Sequence, residues 1–227
     1  MSPLQSIRLA LARRSCKLPV QRRLLNHPLP ARSTRVADME IIALDFETTG
    51  LDAKRDRVIA AGWVLIRGDR IVMASAREVR VRDDIPDGVG QSAVIHGILD
   101  CDLDDAHSGE ALLEQLLPEL AGRAIVAHAA AIERGFLAAV LRRLGGSPIL
   151  NPFICTMALE RQLIEAEGGR VRELHDDLTL DNCRARRGLP DHQRHSAGAD
   201  ALAAAELFLA QVAQLGGAEK VKLRDLC

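Results

Sequence analysis

Tyrosine is absent from this 227-residue chain, and the aromatic complement is one tryptophan and four phenylalanines, 2% of the residues. No tyrosine can therefore act as acid, base or nucleophile, and flat faces for stacking are scarce. The five cysteines, Cys16, Cys101, Cys155, Cys183 and Cys227, are odd in number, widely spread and form no CxxC pair. That argues against a zinc site or a disulfide framework and for reduced thiols. No apolar run approaches the about 18 residues that cross a bilayer, so the expectation is a soluble, cytoplasmic chain with no membrane partner. The N-terminus lacks the continuous apolar stretch of a secretion signal, and no internal repeat or low-complexity block is visible.

What is present is globular composition, 48% apolar and 27% charged, with length for one substantial domain and an appendage. The net charge of −1 is divided unevenly. Residues 1–40 hold eight Lys/Arg against Asp38 and Glu40, a balance of +6 that leaves −7 for the rest. A basic arm beside an acidic body suits a polyanion partner, and by composition a transit peptide. The favoured reading is a short surface helix, with Leu4, Ile7 and Leu11 at helical spacing, joined by the linker NHPLPARST. The expected organisation is an arm and linker over 1–39, a main domain over 40–215 and a tail over 216–227.

The chain is organised around residues 41–52, IIALDFETTGLD. An apolar lead-in predicts a strand, whose period of two puts Asp45 and Glu47 on one face and Phe46 on the other. Two acids at this spacing are commonly a solvated strand face, but here the run enters a core, and buried carboxylates need partners. Gly50 after two threonines predicts a turn that offers backbone amides. A hard divalent cation carrying a phosphate would suit such a place.

Residues 57–66 and 71–81 read as two more strands around a tight turn at Gly68-Asp69, completing an antiparallel meander. A polar loop follows over 83–90. Leucines at 112, 113, 116, 117 and 120 predict a helix over 110–120. Then come a strand at 124–127, a helix at 130–144 ended by Gly145-Gly146, a strand at 152–155 and helices at 157–167, 178–187 and 196–215, with a polar segment over 168–177. This order implies an α/β fold in which a mixed five-stranded sheet, three antiparallel strands plus two parallel ones, carries helices on both faces.

Two further segments hold polar groups that helix patterning does not require. In VAHAAAIERGFL, His128 ends a strand and Glu133 sits in the next helix's first turns; in DHQRHSAGADAL, His195 precedes a helix and Asp200 lies one turn inside it. Strand ends and helix starts are where α/β folds build sites. Singly, each is more often a solvated or structural residue.

Taken together, DFETTGLD, VAHAAAIERGFL and HSAGADA resemble, in order and separation, the three exonuclease motifs of the DEDDh 3′–5′ exonucleases, the family that includes the proofreading subunit of bacterial DNA polymerase III. IHGI at 95–98 is similar to a further family segment, and the resemblance covers about residues 40–213. It implies an RNase H-like fold and two-metal hydrolysis from a 3′ end, with Mg²⁺ or Mn²⁺. Carried over, Asp45, Glu47 and Asp200 would be metal ligands, and Glu133 would stand where the family has its third aspartate. His195 would be the general base; His192 is the rival, and the family's H-x4-D spacing selects His195. Thr48, Thr49, Gly50, Leu51 and His96 would touch the terminal nucleotide, and His128 would be structural. The missing tyrosine excludes the sister subclass with a tyrosine base. Ala129, Ile132, Glu133 and Gly198 depart from the family's usual Asn, Phe, Asp and Leu, and a helical glycine costs about 1 kcal/mol relative to alanine.

The resemblance thus implies a single-stranded nucleic-acid substrate, with DNA favoured over RNA, and a polymerase subunit as a candidate partner. A ribonuclease trimming RNA ends and a non-catalytic binding module remain open alternatives. Scarce aromatics imply sequence-tolerant binding with little base stacking.

Overall fold

The computed structural model describes residues 3–82, 89, 92, 94, 97–168, 178–192 and 195–227. Five strands, β1 (Glu40–Thr48), β2 (Val58–Arg67), β3 (Arg70–Arg80), β4 (Ala124–Ala127) and β5 (Phe153–Cys155), form one sheet in the order β3-β2-β1-β4-β5. The first three are antiparallel, and β4 and β5 run parallel to β1. Gly68 turns the β2–β3 hairpin at φ +62°, a conformation that glycine adopts without steric cost. The mixed five-stranded sheet expected from the sequence is therefore the observed one.

Helices cover both faces: α1 (Pro3–Ser15), α2 (Pro19–Leu24), α3 (Gly109–Glu119), α4 (Ala131–Arg143), α5 (Thr156–Ala166), α6 (Leu180–Arg186) and α7 (Ala197–Gln214). The alternation along β1 decides which helix meets which face. Ile42, Leu44 and Phe46 pack with Leu112 and Leu116 of α3 and Phe136 and Leu137 of α4. Ile41 and Ala43 pack with Ala205, Phe208 and Val212 of α7. Asp45 and Glu47 continue the second row, so period two carries them from an apolar core to the sheet face that α7 covers.

Neither the arm nor the tail stands apart from the body. Leu18, Leu24 and Leu25 belong to the same cluster as α3 and α4. Gln21, fully buried, donates to the Ser147 carbonyl at 2.7 Å and accepts from the Ser147 amide at 2.8 Å. In the tail, Val221, Leu223 and Leu226 pack with Val36 and Met39. In the arm Ile7 and Leu11 face solvent, while Ala12 and Cys16 are buried. All five cysteines are free. Among the described residues no helix is long and apolar enough to cross a membrane. Most of the loop at 83–90, His96 with its neighbour Ile95, and residues 169–177 of the polar segment lie outside the described residues.

Candidate active site

Because β1, β4 and β5 are parallel, their carboxyl ends lie at the same end of the sheet. Asp45 and Glu47 come from the end of β1. Asp200 comes from the first turn of α7, whose N-cap Ser196 accepts a hydrogen bond from the Ala199 amide. One oxygen of each of these three carboxylates lies within 4.8 Å of the others. Such a set suits a hard divalent cation, for which carboxylate oxygens are the preferred ligands.

The electrostatics show what this proximity costs without a counter-charge. Burial, then Glu133, Asp200, Glu47 and Glu78, push Asp45 well above the usual carboxylate range. Glu47 is pushed up to about 7 by burial and by Asp200 and Glu78. Desolvation and like charges both disfavour the ionised form, and a bound cation reverses both effects. Arg134, adjacent to Glu133 in sequence, places its guanidinium 4.8 Å from the centre of the Phe153 ring.

Glu133 occupies the first turn of α4 and is 3% exposed. Burial pushes its carboxyl up to about 8, opposed by a bond to its own backbone amide. Its Oε2 is buried with no hydrogen-bond partner, a costly state for a polar atom. Glu133 is close enough to raise Asp45 but does not belong to the set within 4.8 Å. The sequence-expected quartet is therefore three acids together and a fourth, buried with one oxygen unpartnered, outside that set. Immediately before α4, Ala129 holds φ +55°, the left-handed region in which asparagine is several-fold enriched.

Three histidines border the site. His192 places Nε2 2.7 Å from Asp200 Oδ1, with Nδ1 3.5 Å from Asp181. His195, five residues before Asp200, is exposed with φ +62°, and its amide donates to Asp200 Oδ2 at 3.0 Å. His128 has Nδ1 2.9 Å from the Thr156 hydroxyl and Nε2 2.8 Å from the Leu178 carbonyl. Those partners select the tautomer that donates from Nε2, and burial lowers the pKa of His128. It ties the ends of β4 and β5 to the segment entering α6.

On the loop after β1, Thr48 donates to the Gly50 carbonyl at 2.6 Å, Thr49 Oγ1 accepts from the Arg57 amide at 3.0 Å, and Leu51 is 81% exposed. A Cβ on Gly50 would lie 2.5 Å from Asp56 Oδ2, so any larger residue there would have to displace the Asp56 carboxylate. Sequence reasoning missed Glu78 and Thr156. Thr156 follows a three-residue strand with no motif around it, and Glu78 becomes visible only once strand register is known. A cavity of about 740 Å³, bounded by Arg8, Arg13, Arg32 and Arg134, contains none of the clustered acids.

Comparison with known proteins is consistent with this arrangement. A family model described as "Exonuclease" matches residues 42–208. The DNA polymerase III PolC-type protein of Thermotoga maritima is 30% identical over 189 residues, 83% of this chain and 13% of that protein. Its namesake from Clostridium perfringens is 29% identical over 130 residues, 56% of this chain and 8% of that protein. The chain thus spans a small part of the length of these relatives. Among solved structures, exonuclease X in complex with 5′ overhanging duplex DNA aligns with a TM-score of 0.59 at 23% identity, covering 83% of this chain and 98% of that one. E. coli exonuclease I in complex with a dA16 oligonucleotide aligns with a TM-score of 0.66 at 13% identity, covering 78% and 41%. At these identities the likeness establishes the fold.

Proposed function

This chain belongs to the exonuclease family, and from that premise we propose that it is a 3′–5′ exonuclease that removes nucleotides from single-stranded DNA ends with Mg²⁺ or Mn²⁺. The observation that carries the reading is the convergence of Asp45, Glu47 and Asp200 within 4.8 Å at the carboxyl end of β1. The residues fit a divalent cation: burial and then the neighbouring carboxylates both raise Asp45 and Glu47, and Glu133, which also raises Asp45, keeps a buried Oε2 without a partner. Asp45, Glu47 and Asp200 would hold the metal, with Glu133 supporting a second ion directly or through water. A metal pair about 4 Å apart supplies stabilisation of the attacking and leaving oxygens of the phosphodiester.

The protein's own residues divide the remaining work. Asp200 is held by both of its oxygens, one by the His192 ring and one by the His195 amide, so its carboxylate is preorganised. Neighbours that orient a ligand in this way tune its affinity for metal. His195, exposed and on a short connection into α7, can bring an imidazole to the attacking water and take its proton. Thr48 to Leu51 form the rim beside the acids, and the exposed Leu51 offers an apolar face to a terminal base. On the family pattern His96 would also touch the terminal nucleotide.

The structures aligned above hold DNA in both cases, which favours DNA over RNA as substrate; a polymerase partner is suggested by the PolC-type relatives alone. Incubation of 5′-labelled single-stranded DNA and RNA of one sequence, with Mg²⁺, Mn²⁺ or EDTA, tests the reading. A ladder of shortening labelled DNA in metal and none in EDTA is expected. Faster RNA shortening would transfer the assignment to a ribonuclease, and no shortening of either strand would leave only a binding module.

A further inference from the structure

We propose that Glu78, on the edge strand β3, is a positioning residue of this site: it clamps the first turn of α7 against the sheet and so sets where Asp200 and His195 stand. The inference rests on the metal-dependent nuclease reading above. It begins with register. Asp45 of β1 pairs with Gly62 of β2, and Gly62 pairs with Glu78 of β3. Residues directly paired across strands project to the same face. Asp45 and Glu78 therefore rise on one side of the sheet with a residue that has no side chain between them.

The first turn of α7 fills that notch. A Cβ on Gly62 would lie 2.1 Å from the carbonyl carbon and oxygen of Ala197 and 2.3 Å from the Gly198 nitrogen, so no other residue could stand there without moving the helix. On the far side of the notch, Glu78 Oε2 accepts from the Ser196 hydroxyl at 2.6 Å and from the Gly198 amide at 2.8 Å. On the near side, Asp200 joins Asp45 and Glu47. One helical turn is thus gripped between two carboxylates, each reaching a different side of it.

Gly198 is fitted to the same device. A Cβ there would come 2.8 Å from Glu78 Oε2 and 3.3 Å from Glu78 Cβ, so the glycine makes room for the clamping side chain. Ser196 links the two tasks, giving its hydroxyl proton to Glu78 while accepting from the Ala199 amide to cap α7. The Ser196 hydroxyl and the Gly198 amide thus both donate to one carboxylate oxygen at the N-terminal end of the helix. Because both donors lie within four residues of Asp200, any slack in them is passed to the carboxylate that the site needs in place.

The test compares Glu78→Ala, Glu78→Gln and Gly198→Ala with wild type. Mn²⁺ affinity is read by titration calorimetry, Mn²⁺-saturated turnover on labelled single-stranded DNA, and melting temperature in EDTA. Glutamine keeps an acceptor oxygen at the same reach, so Glu78→Gln should stay within about twofold of wild type in affinity. Glu78→Ala should weaken Mn²⁺ binding and lower turnover on the order of tenfold, a part of the about 10²-fold that a misplacement near 1 Å can cost. Gly198→Ala, which pushes the Glu78 side chain away, should move both in the same direction and add little in a Glu78→Ala background. An alanine variant with wild-type affinity and turnover overturns the inference, even if it melts lower, since a merely structural role predicts that pattern. A glutamine variant as impaired as alanine also overturns it, because charge rather than the hydrogen-bond acceptor would then matter. Wild type that binds Mn²⁺ but degrades nothing would sink the nuclease reading instead, while the affinity comparison still decides for or against the clamp.

Discussion

At the scale of single residues, the fourth acid is the informative one. Glu133 is one methylene longer than the aspartate that the family usually places there, it is buried, and its Oε2 has no partner. If the pocket is fitted to that length, Glu133→Asp draws the carboxylate back by about 1.5 Å, and an error near 1 Å can cost about 10²-fold in rate. Glu133→Gln should be slower still, because it keeps the reach and loses the charge. Mg²⁺-supported rates of the three proteins decide this, and an aspartate variant faster than wild type would contradict the fit. The histidines should separate by parameter. His195→Ala is expected to lower turnover by about 10² to 10⁴, the usual share of a general base, with metal affinity kept. His192→Ala, which removes the ring bonded to Asp200, should weaken metal binding by about tenfold or somewhat more and spare turnover at saturating metal. Reversed effects would make His192 the base. Asp45 and Glu47 are legible as a pair because strand alternation fixes their shared face locally, whereas Asp200 joins them in the sequence reading only through the resemblance of the three motifs. The His192–Asp200 bond was not, since it depends on how an eight-residue separation folds back.

At the scale of elements, the reading from periodicity lands within one or two residues of the observed limits. Residues 57–66 were expected where β2 is Val58–Arg67, and 130–144 where α4 is Ala131–Arg143. What escaped it has a physical reason. The helix α2 has six residues and starts on a proline, too short for a hydrophobic period, and one of its buried side chains is polar, Gln21. The turn between β4 and α4 is the other place where local rules do not suffice. Ala129 there holds φ +55°, a region that costs a residue with a Cβ roughly 1–2 kcal/mol. Ala129→Gly should therefore stabilise the protein by a net of about 0.5–1 kcal/mol once the unfolded chain's added freedom is counted, raising the melting temperature by about 1–4 °C. Thermal unfolding in EDTA reads this directly, and a fall in melting temperature would show that the strain is absent.

At the scale of the whole molecule, the basic arm is a packed part of the fold. Cys16, Leu18, Leu24 and Leu25 are buried, and each fully buried large apolar side chain contributes about 1.5–3 kcal/mol. Deleting residues 1–25 should lower the melting temperature by more than about 5 °C and leave the salt dependence of DNA binding nearly unchanged. A flattened salt slope would instead identify the arm as a phosphate contact. The central claim, that the acids form a metal centre, is itself a statement about global stability. Glu47 and Glu133 sit at about 7 and about 8 against 4.5 for an ordinary glutamate. Between about pH 4.5 and 8 the metal-free folded protein thus holds protons that the unfolded chain has released, so its stability falls as pH rises through that window. A cation that binds the ionised acids stabilises the folded state by mass action, most where those protons are already gone. The measurement is the melting temperature at pH 5.5 and pH 8, in EDTA and in millimolar Mn²⁺. The expected result is a lower value at pH 8 in EDTA and a rise with Mn²⁺ that is larger at pH 8 than at pH 5.5; a melting temperature that millimolar Mn²⁺ leaves unmoved at pH 8 would contradict the metal centre.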